Sequence, residues 1–339
     1  MRDPDTFAER LREAAIDPSR RRLLVSVLAN SDQEPDLSEA VVCEGLGRIR
    51  HFRQATSTRW PDNPLPIAPA AQKLGLPRPP QMMPALVYQN AVCNWRCWYC
   101  FVPFNLLAGH RDHSRWVTAE HLVALFQQLP ANHRPAIIDL SGGQPDLVPE
   151  WTVWMLDALN DAGLATQVYL WSDDNLSNDY LFRYLRDEEI SRLSNTANYG
   201  RVCCLKGFDH DSFAFNTGAP AKHFDRQFDL LRRLVRTGMD IYCYVTLTTP
   251  TPPVAPLDVM RRFVDRLQDI DEYLPWRVVP LQITVFGPVG PRMRTPHEEA
   301  LGVQDQMVDA WNTVLAERSH GPAYTSIVDV PLGDKPQGR

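Results

Sequence analysis

Apolar positions change their period along this chain, and the change divides it. Within residues 1–58, the stretches Asp5 to Ala15, Pro18 to Ala29 and Ser38 to His51 each place apolar residues three and four apart, the spacing of one helix face. They predict three helices, an N-terminal helical extension. From Trp60 to Pro84 prolines recur, at Pro61, Pro64, Pro66, Pro69, Pro77, Pro79, Pro80 and Pro84. Each removes a backbone donor and fixes φ, so residues 59–84 are predicted to be an extended connector without regular helix, and a domain boundary falls there.

Beyond the connector, short apolar runs alternate with amphipathic stretches. Strands are predicted at Ala85 to Gln89, Ala136 to Leu140, Thr166 to Trp171, Arg201 to Leu205, Ile241 to Leu247 and Val278 to Val285. Helices are predicted between them at Thr118 to Gln128, Glu150 to Ala162, Asn178 to Arg186, Lys222 to Thr237 and Pro256 to Gln268. Alternation of this kind is the signature of a parallel sheet, and about six βα units with right-handed crossovers curl into an open, partial barrel. The expected fold is therefore α/β, a partial (β/α)6 TIM-like barrel over residues 85–290. The C-terminal segment, 291–339, is expected to add a helix from His297 to Ala316 and a frayed tail from Gly333. In such barrels the chemistry sits at the C-terminal ends of the strands.

Composition narrows the class. An apolar fraction of 44% and a charged fraction of 22% are those of a globular protein. No stretch approaches the roughly 20 apolar residues of a membrane span, and the opening MRDPDTFAERLREA lacks the apolar core of a secretory signal. A net charge of −6 gives no reason to expect nucleic acid as a partner. Seven cysteines without an export signal point to a reducing compartment, where closely spaced thiols bind metal rather than pair; the cytoplasm is the expected location.

Three of those cysteines, Cys93, Cys97 and Cys100, stand at C-x3-C-x2-C spacing directly after the first predicted barrel strand. Thiolates are soft ligands suited to zinc or iron-sulfur clusters, and a cubane cluster usually takes four, one for each iron. Three would leave one iron open. A structural zinc with His110 or His113 as fourth ligand would use the same thiols. The run from His110 through Arg111 and Asp112 to His113 could instead orient a substrate or be solvated. Trp95 and Trp98 are expected to shield the site. Cys43, Cys203, Cys204 and Cys243 fall in predicted helix or strand, where free cysteine packs as a small apolar residue.

This cysteine spacing, with the aromatic Tyr99 before the last cysteine, resembles the radical S-adenosylmethionine superfamily. After the second strand, Gly142-Gly143-Gln144-Pro145 is similar to the superfamily's Gly-Gly-Glu-Pro turn, which receives the methionyl ammonium of the cofactor. Gln144 keeps an acceptor oxygen but loses the charge. Two further segments resemble the branch of the pyruvate formate-lyase activating enzyme. Ser172-Asp173-Asp174-Asn175 matches a segment near the cofactor's ribose and carboxylate, although a helix-cap cluster would look the same. Cys204-Leu205-Lys206 matches an Asp-Leu-Lys motif whose lysine contacts the methionyl carboxylate, and Asp209 to Gly218 matches the lead into the following helix. Cys204 stands where that motif has aspartate.

The resemblance implies a [4Fe-4S] cluster on Cys93, Cys97 and Cys100, with S-adenosyl-L-methionine among Tyr99, Gly142, Gly143, Gln144, Pro145, Ser172, Asp173, Asp174 and Lys206. It implies a flavodoxin- or ferredoxin-type electron donor and cleavage of the cofactor to a 5'-deoxyadenosyl radical that abstracts hydrogen from a substrate. That substrate is a small molecule or a peptide, or else a glycine on a glycyl-radical enzyme partner. An Fe-S or zinc-binding module without catalysis is the reading from another class.

Overall fold

A computed structural model describes residues 3–318 and 326–333 of the chain. In chain order the elements are α1 (Pro4–Ala15), β1 (Ile16–Asp17), β2 (Arg22–Ser26), β3 (Gly47–Arg53), α2 (Ile67–Lys73), β4 (Met82–Gln89), β5 (Ser114–Thr118) and α3 (Ala119–Gln128). There follow β6 (Ile137–Ser141), α4 (Glu150–Asp161), β7 (Tyr169–Asp174), α5 (Tyr180–Tyr184), α6 (Asp187–Asn195), β8 (Tyr199–Leu205) and α7 (His210–Thr217). The chain continues through α8 (Phe224–Val235), β9 (Ile241–Thr246), α9 (Pro256–Gln268), β10 (Val278–Leu281) and α10 (Thr295–Arg318).

The main sheet has seven strands in the order β10-β9-β8-β7-β6-β4-β3. Six of them, β4 through β10, pair in parallel, as expected of a partial (β/α)6 barrel; β3 adds to the β4 edge antiparallel. α3, α4, α8 and α9 bury their apolar stripes on the outside of the sheet, in the larger of the core clusters. A second cluster fills the inside, where Phe52, Ala85, Ile137, Tyr169, Trp171, Val202, Tyr242 and Val279 project from successive strands. Alternation along each strand accounts for this division. The expected C-terminal helix is present as α10, which packs on α9 through Phe263 and Trp311. Of the expected tail only Gly333 falls within the described residues.

The N-terminal region departs from the three expected helices. Asp5 to Ala15 is helical, with Asp3 as N-cap to Thr6. The second stretch, Pro18 to Ala29, contains β2 instead, paired antiparallel with β1 and β5 in a small sheet. The third, Ser38 to His51, leads into β3, and Cys43 begins a short 3-10 turn rather than lying in a helix. Leu23, Leu24 and Val25 are all buried, and a short run buried on both faces has no period that tells strand from helix. The connector also differs, because α2 forms despite Pro66 and Pro69. Pro66 caps it and Pro69 stands in its first turn, where backbone N–H groups have no helical partner to lose.

The connector closes the gap between the two sheet edges. Trp60 Nε1 donates to the carbonyl of Pro280 on β10 (2.9 Å), and Gln282 donates to Ser57 (2.9 Å). Leu65, Ile67 and Ala70 then plug the barrel from below. Among the described residues no helix is long and apolar enough to cross a membrane.

Candidate functional site

The cysteine loop leaves the C-terminal end of β4 and is held on every side. Ser26 Oγ on β2 donates to Leu106 O (3.0 Å), Cys93 N donates to Leu107 O (3.1 Å), and α1 reaches the neighbouring turn through Arg12, whose Nη1 donates to Leu147 O (3.0 Å). From the far side Arg96 N and Trp98 N donate to the carbonyls of Thr217 and Asn216 at the end of α7. Asn216 is a hub: its Oδ1 accepts from Trp98 Nε1 (3.1 Å) and Thr248 Oγ1 (2.7 Å), and its Nδ2 donates to the carbonyls of Lys206 and Thr248. The segment before α10 and the first turn of that helix press from above, where Arg292 Nη2 donates to Cys100 O (2.8 Å) and His297 stacks on Trp98 at 4.7 Å. Trp95 and Trp98 are both buried.

The thiols of Cys93, Cys97 and Cys100 lie close enough to influence one another and to feel Lys206, and all three cysteines are free. Burial pushes the thiols of Cys93 and Cys100 up, and that of Cys97 up to about 12, against the pull of the nearby Lys206 ammonium. A bound metal would reverse this by holding them as thiolates. Asn175 Nδ2 donates to Cys93 Sγ at 3.6 Å. Among the described residues no three His, Cys, Asp or Glu side chains converge on a point that one ion could occupy. His110 is exposed, and neither it nor His113 joins the thiols in such a group.

Tyr99 is buried with its hydroxyl 3.0 Å from Thr246 Oγ1. The turn after β6 packs hard against the cysteine loop. A Cβ on Gly143 would overlap the carbonyl oxygens of Asn90 and Val92, and one on Gly142, where φ is +82°, would overlap the Gln89 side chain. Two hydrogen bonds cross the same contact, Gln144 N to Val92 O (2.8 Å) and Asn90 Nδ2 to Gln144 O (2.8 Å). Pro145 is buried and begins a short 3-10 turn.

Gln144 is fully buried, and its side chain joins this loop to the next. Its Nε2 donates to Asp174 Oδ1 (2.8 Å) and its Oε1 accepts from Asn175 N (2.9 Å). Asp174 also accepts from Leu176 N and pairs with Arg201, which pairs with Asp146 as well. Burial, weighed against these two carboxylates and Tyr199, leaves the Arg201 pKa well above its ordinary value. Ser172 faces the helices, its Oγ 2.9 Å from Tyr199 Oη. Of the Ser172 to Asp174 segment, Asp173 alone points into the barrel, beside Lys206 and Asp139. Lys206 is half-buried. Burial pulls its pKa down, but Cys204, Tyr99, Cys97 and Cys93 together hold it well above the ordinary lysine value. Cys204 is buried on the inner face and Cys203 and Cys243 on the outer, as small apolar residues.

Sequence reasoning passed over Asn216 as a brace and Asn175 as a partner for sulfur. Both lie in segments the motif comparison quoted, but a single amide side chain carries no pattern of its own. Two clefts open elsewhere. One of about 250 Å³ lies between Trp276, Pro280 and Trp311, and one of about 350 Å³ lies outside the cysteine loop, between Phe7, Trp95 and Pro220.

No protein-family profile matches the chain, and no curated protein sequence does. Solved structures of SuiB from Streptococcus suis resemble it. The structure bound to S-adenosylmethionine matches 54% of this chain at 16% identity and a TM-score of 0.38; the one bound to the precursor peptide SuiA matches 54% at 16% and 0.36. A third SuiB structure gives 15% and 0.37 over the same share. The chain covers 35 to 37% of those proteins' length. The likeness is one of partial fold.

Proposed function

We propose that this chain is a radical S-adenosylmethionine enzyme, with Cys93, Cys97 and Cys100 each holding one iron of a [4Fe-4S] cluster. One observation carries the reading: the three thiols, the Gly142-Gly143 turn, Asp173 and Lys206 meet at the C-terminal ends of consecutive parallel strands. Three thiols on one short loop suit a cluster whose irons take one thiolate each, with the fourth iron left open. When bound, the cluster and S-adenosylmethionine would supply one-electron cleavage of a carbon-sulfur bond and a hydrogen-abstracting radical.

The chain's own residues bind, brace and keep water out. Asn175 steadies the Cys93 sulfur, Trp95 and Trp98 cover the loop, and the Lys206 ammonium beside the thiols would receive a ligand carboxylate. Gln144 and Asp174 act as braces between loops, since their polar atoms are engaged with each other and with Asn175, Leu176 and Arg201. With Ser172 and Asp174 turned from the interior, the glycyl-radical activase reading loses two of its branch-motif residues and keeps Asp173, Asn175 and Lys206 at the site. A small-molecule or peptide substrate is the reading preferred here, with a flavodoxin- or ferredoxin-type protein as electron donor.

Anaerobic reconstitution with iron and sulfide, reduction, and addition of S-adenosylmethionine test this. The expected result is a reduced-cluster electron paramagnetic resonance signal that changes on adding the cofactor, followed by release of 5'-deoxyadenosine. A fully loaded cluster that releases none refutes the reading.

A further inference from the structure

β3 carries side chains into the barrel that no motif accounts for. Its register with β4 sets Arg48 opposite Val87 and Arg50 opposite Ala85, both on the inner face, and Val87 in turn neighbours Asp139 on β6. Gln89 neighbours Ser141 in the row above. Arg48, Arg50, Asp139 and Asp173 thus form a polar layer on the inner face that begins level with Tyr169 and Trp171 and rises toward the C-terminal strand ends. The Arg48 guanidinium lies over the Phe101 ring at 5.2 Å, one residue past Cys100, and that of Arg50 over Phe52 at 4.1 Å.

This layer is unsatisfied. Both carboxylate oxygens of Asp139 (1% exposed), Nε and Nη2 of Arg48 (7%), and the whole Gln89 amide (0%) are buried without a hydrogen-bond partner. Ser141 Oγ lies near Asp139 yet is also unpartnered. Opposite charges therefore influence one another, yet none of these four side chains closes an ion pair with another of them. Buried charge left unpaired is costly, and a cluster of it on one inner face is what a polar ligand would satisfy. Two cations on one wall and two carboxylates on the next match a ligand that carries both signs.

We propose that this layer is the substrate site and that it takes a small zwitterion, an amino acid or similar molecule, with Arg48 and Arg50 receiving its carboxylate and Asp139 and Asp173 its ammonium. The inference rests on the function proposed above and narrows its substrate from a small molecule or peptide to the former. Enclosure supports the narrowing. The barrel's open side is shut by the Trp60 and Gln282 bonds, and its mouth is crossed by the chain from Phe286, which meets Phe101, to Arg292, while Gly287 N is held by Asp36 (2.9 Å). A peptide passing through would need one of these closures open. Burial holds the Asp139 and Asp173 carboxyls above the usual carboxylate range, so they would release their protons as a ligand ammonium comes into contact.

Isothermal titration of the full chain, before and after anaerobic reconstitution, would use the twenty free α-amino acids together with glycine betaine and γ-aminobutyrate. Each binder would be compared with its amide and its N-acetyl form. At least one free zwitterion is expected to bind, with loss of about tenfold to 100-fold when either charge is removed. Arg48→Met should abolish the preference for the free acid over its amide, and Asp139→Asn the preference for the free amine over its N-acetyl form. Arg48→Lys, which keeps the charge and guards against a folding defect, should keep most of the first preference. Absence of binding by every zwitterion, equal binding of the doubly capped forms, or an equal fall in S-adenosylmethionine affinity in Arg48→Met would overturn the proposal. Binding heat requires no turnover, so this site can fail while the radical chemistry stands, and the reverse.

Discussion

Replacing Gly143 by alanine probes the contact on which the whole site depends. The added Cβ would overlap two backbone oxygens, those of Asn90 and Val92, and neither can rotate away as a side chain would. Relief requires the turn after β6 to back off from the cysteine loop. That movement breaks the two hydrogen bonds spanning the gap, Gln144 N to Val92 O and Asn90 Nδ2 to Gln144 O, both 2.8 Å. Overpacking costs about 1–3 kcal/mol and each lost hydrogen bond about 1 kcal/mol, so the variant should lose about 3–5 kcal/mol. Loss of unfolded-state entropy returns about 0.4–1 kcal/mol of this. Gly302→Ala is the control, because it lies within α10 with nothing within 4 Å of its Cβ and should be neutral or stabilising by up to about 1 kcal/mol. Urea unfolding of the metal-free, reduced protein measures both. Should Gly143→Ala match the parent within about 0.5 kcal/mol, the two loops are not held by close approach and the argument fails.

Asn175→Ala removes the donor to the Cys93 sulfur and should lower iron-sulfur affinity by about 10- to 100-fold, read as cluster retention against a chelator, with little effect on the fold of the metal-free chain. Arg201→Met strands Asp146 and Asp174 in the interior and should cost about 3–5 kcal/mol in unfolding measurements, much of it recovered when both partners are changed to asparagine. Asp173 should make stability depend on pH. Burial, and then Asp139, raise its carboxyl to about 8 from 3.8, against Arg50, Lys206 and Arg48. The folded chain therefore binds the extra proton, and stability of the metal-free protein should fall as pH rises from about 4 to about 8. Cys204, Tyr244 and Asp139 also face this group, so the assay is the difference between the parent and Asp173→Asn, whose curve should be flatter over that range.

The parts of this molecule that were legible beforehand are those where one physical signal had a single reading. Alternating apolar runs and amphipathic stretches placed all six parallel strands, because a βα unit must bury a strand on both faces and a helix on one. β3 was misread for the opposite reason. Gly47-Arg-Ile-Arg-His-Phe alternates with period two, but its polar face points into a barrel rather than into water, and the apolar residues of Ser38 to His51 also fit the three- and four-residue spacing of a helix. The same inversion hid the layer formed by Arg48 and Asp139, since patterning treats a charge as evidence of exposure. Gln144 shows a related limit. Motif comparison could assign it a position but not a partner, and its side chain proves to be committed to Asp174 and Asn175. Positions along a strand are written in the sequence. Which of its two faces is wet, and which empty space a charge is turned toward, depends on the neighbouring strand, and for Arg48 and Arg50 that neighbour lies across a proline-rich connector that gives no sign of pairing.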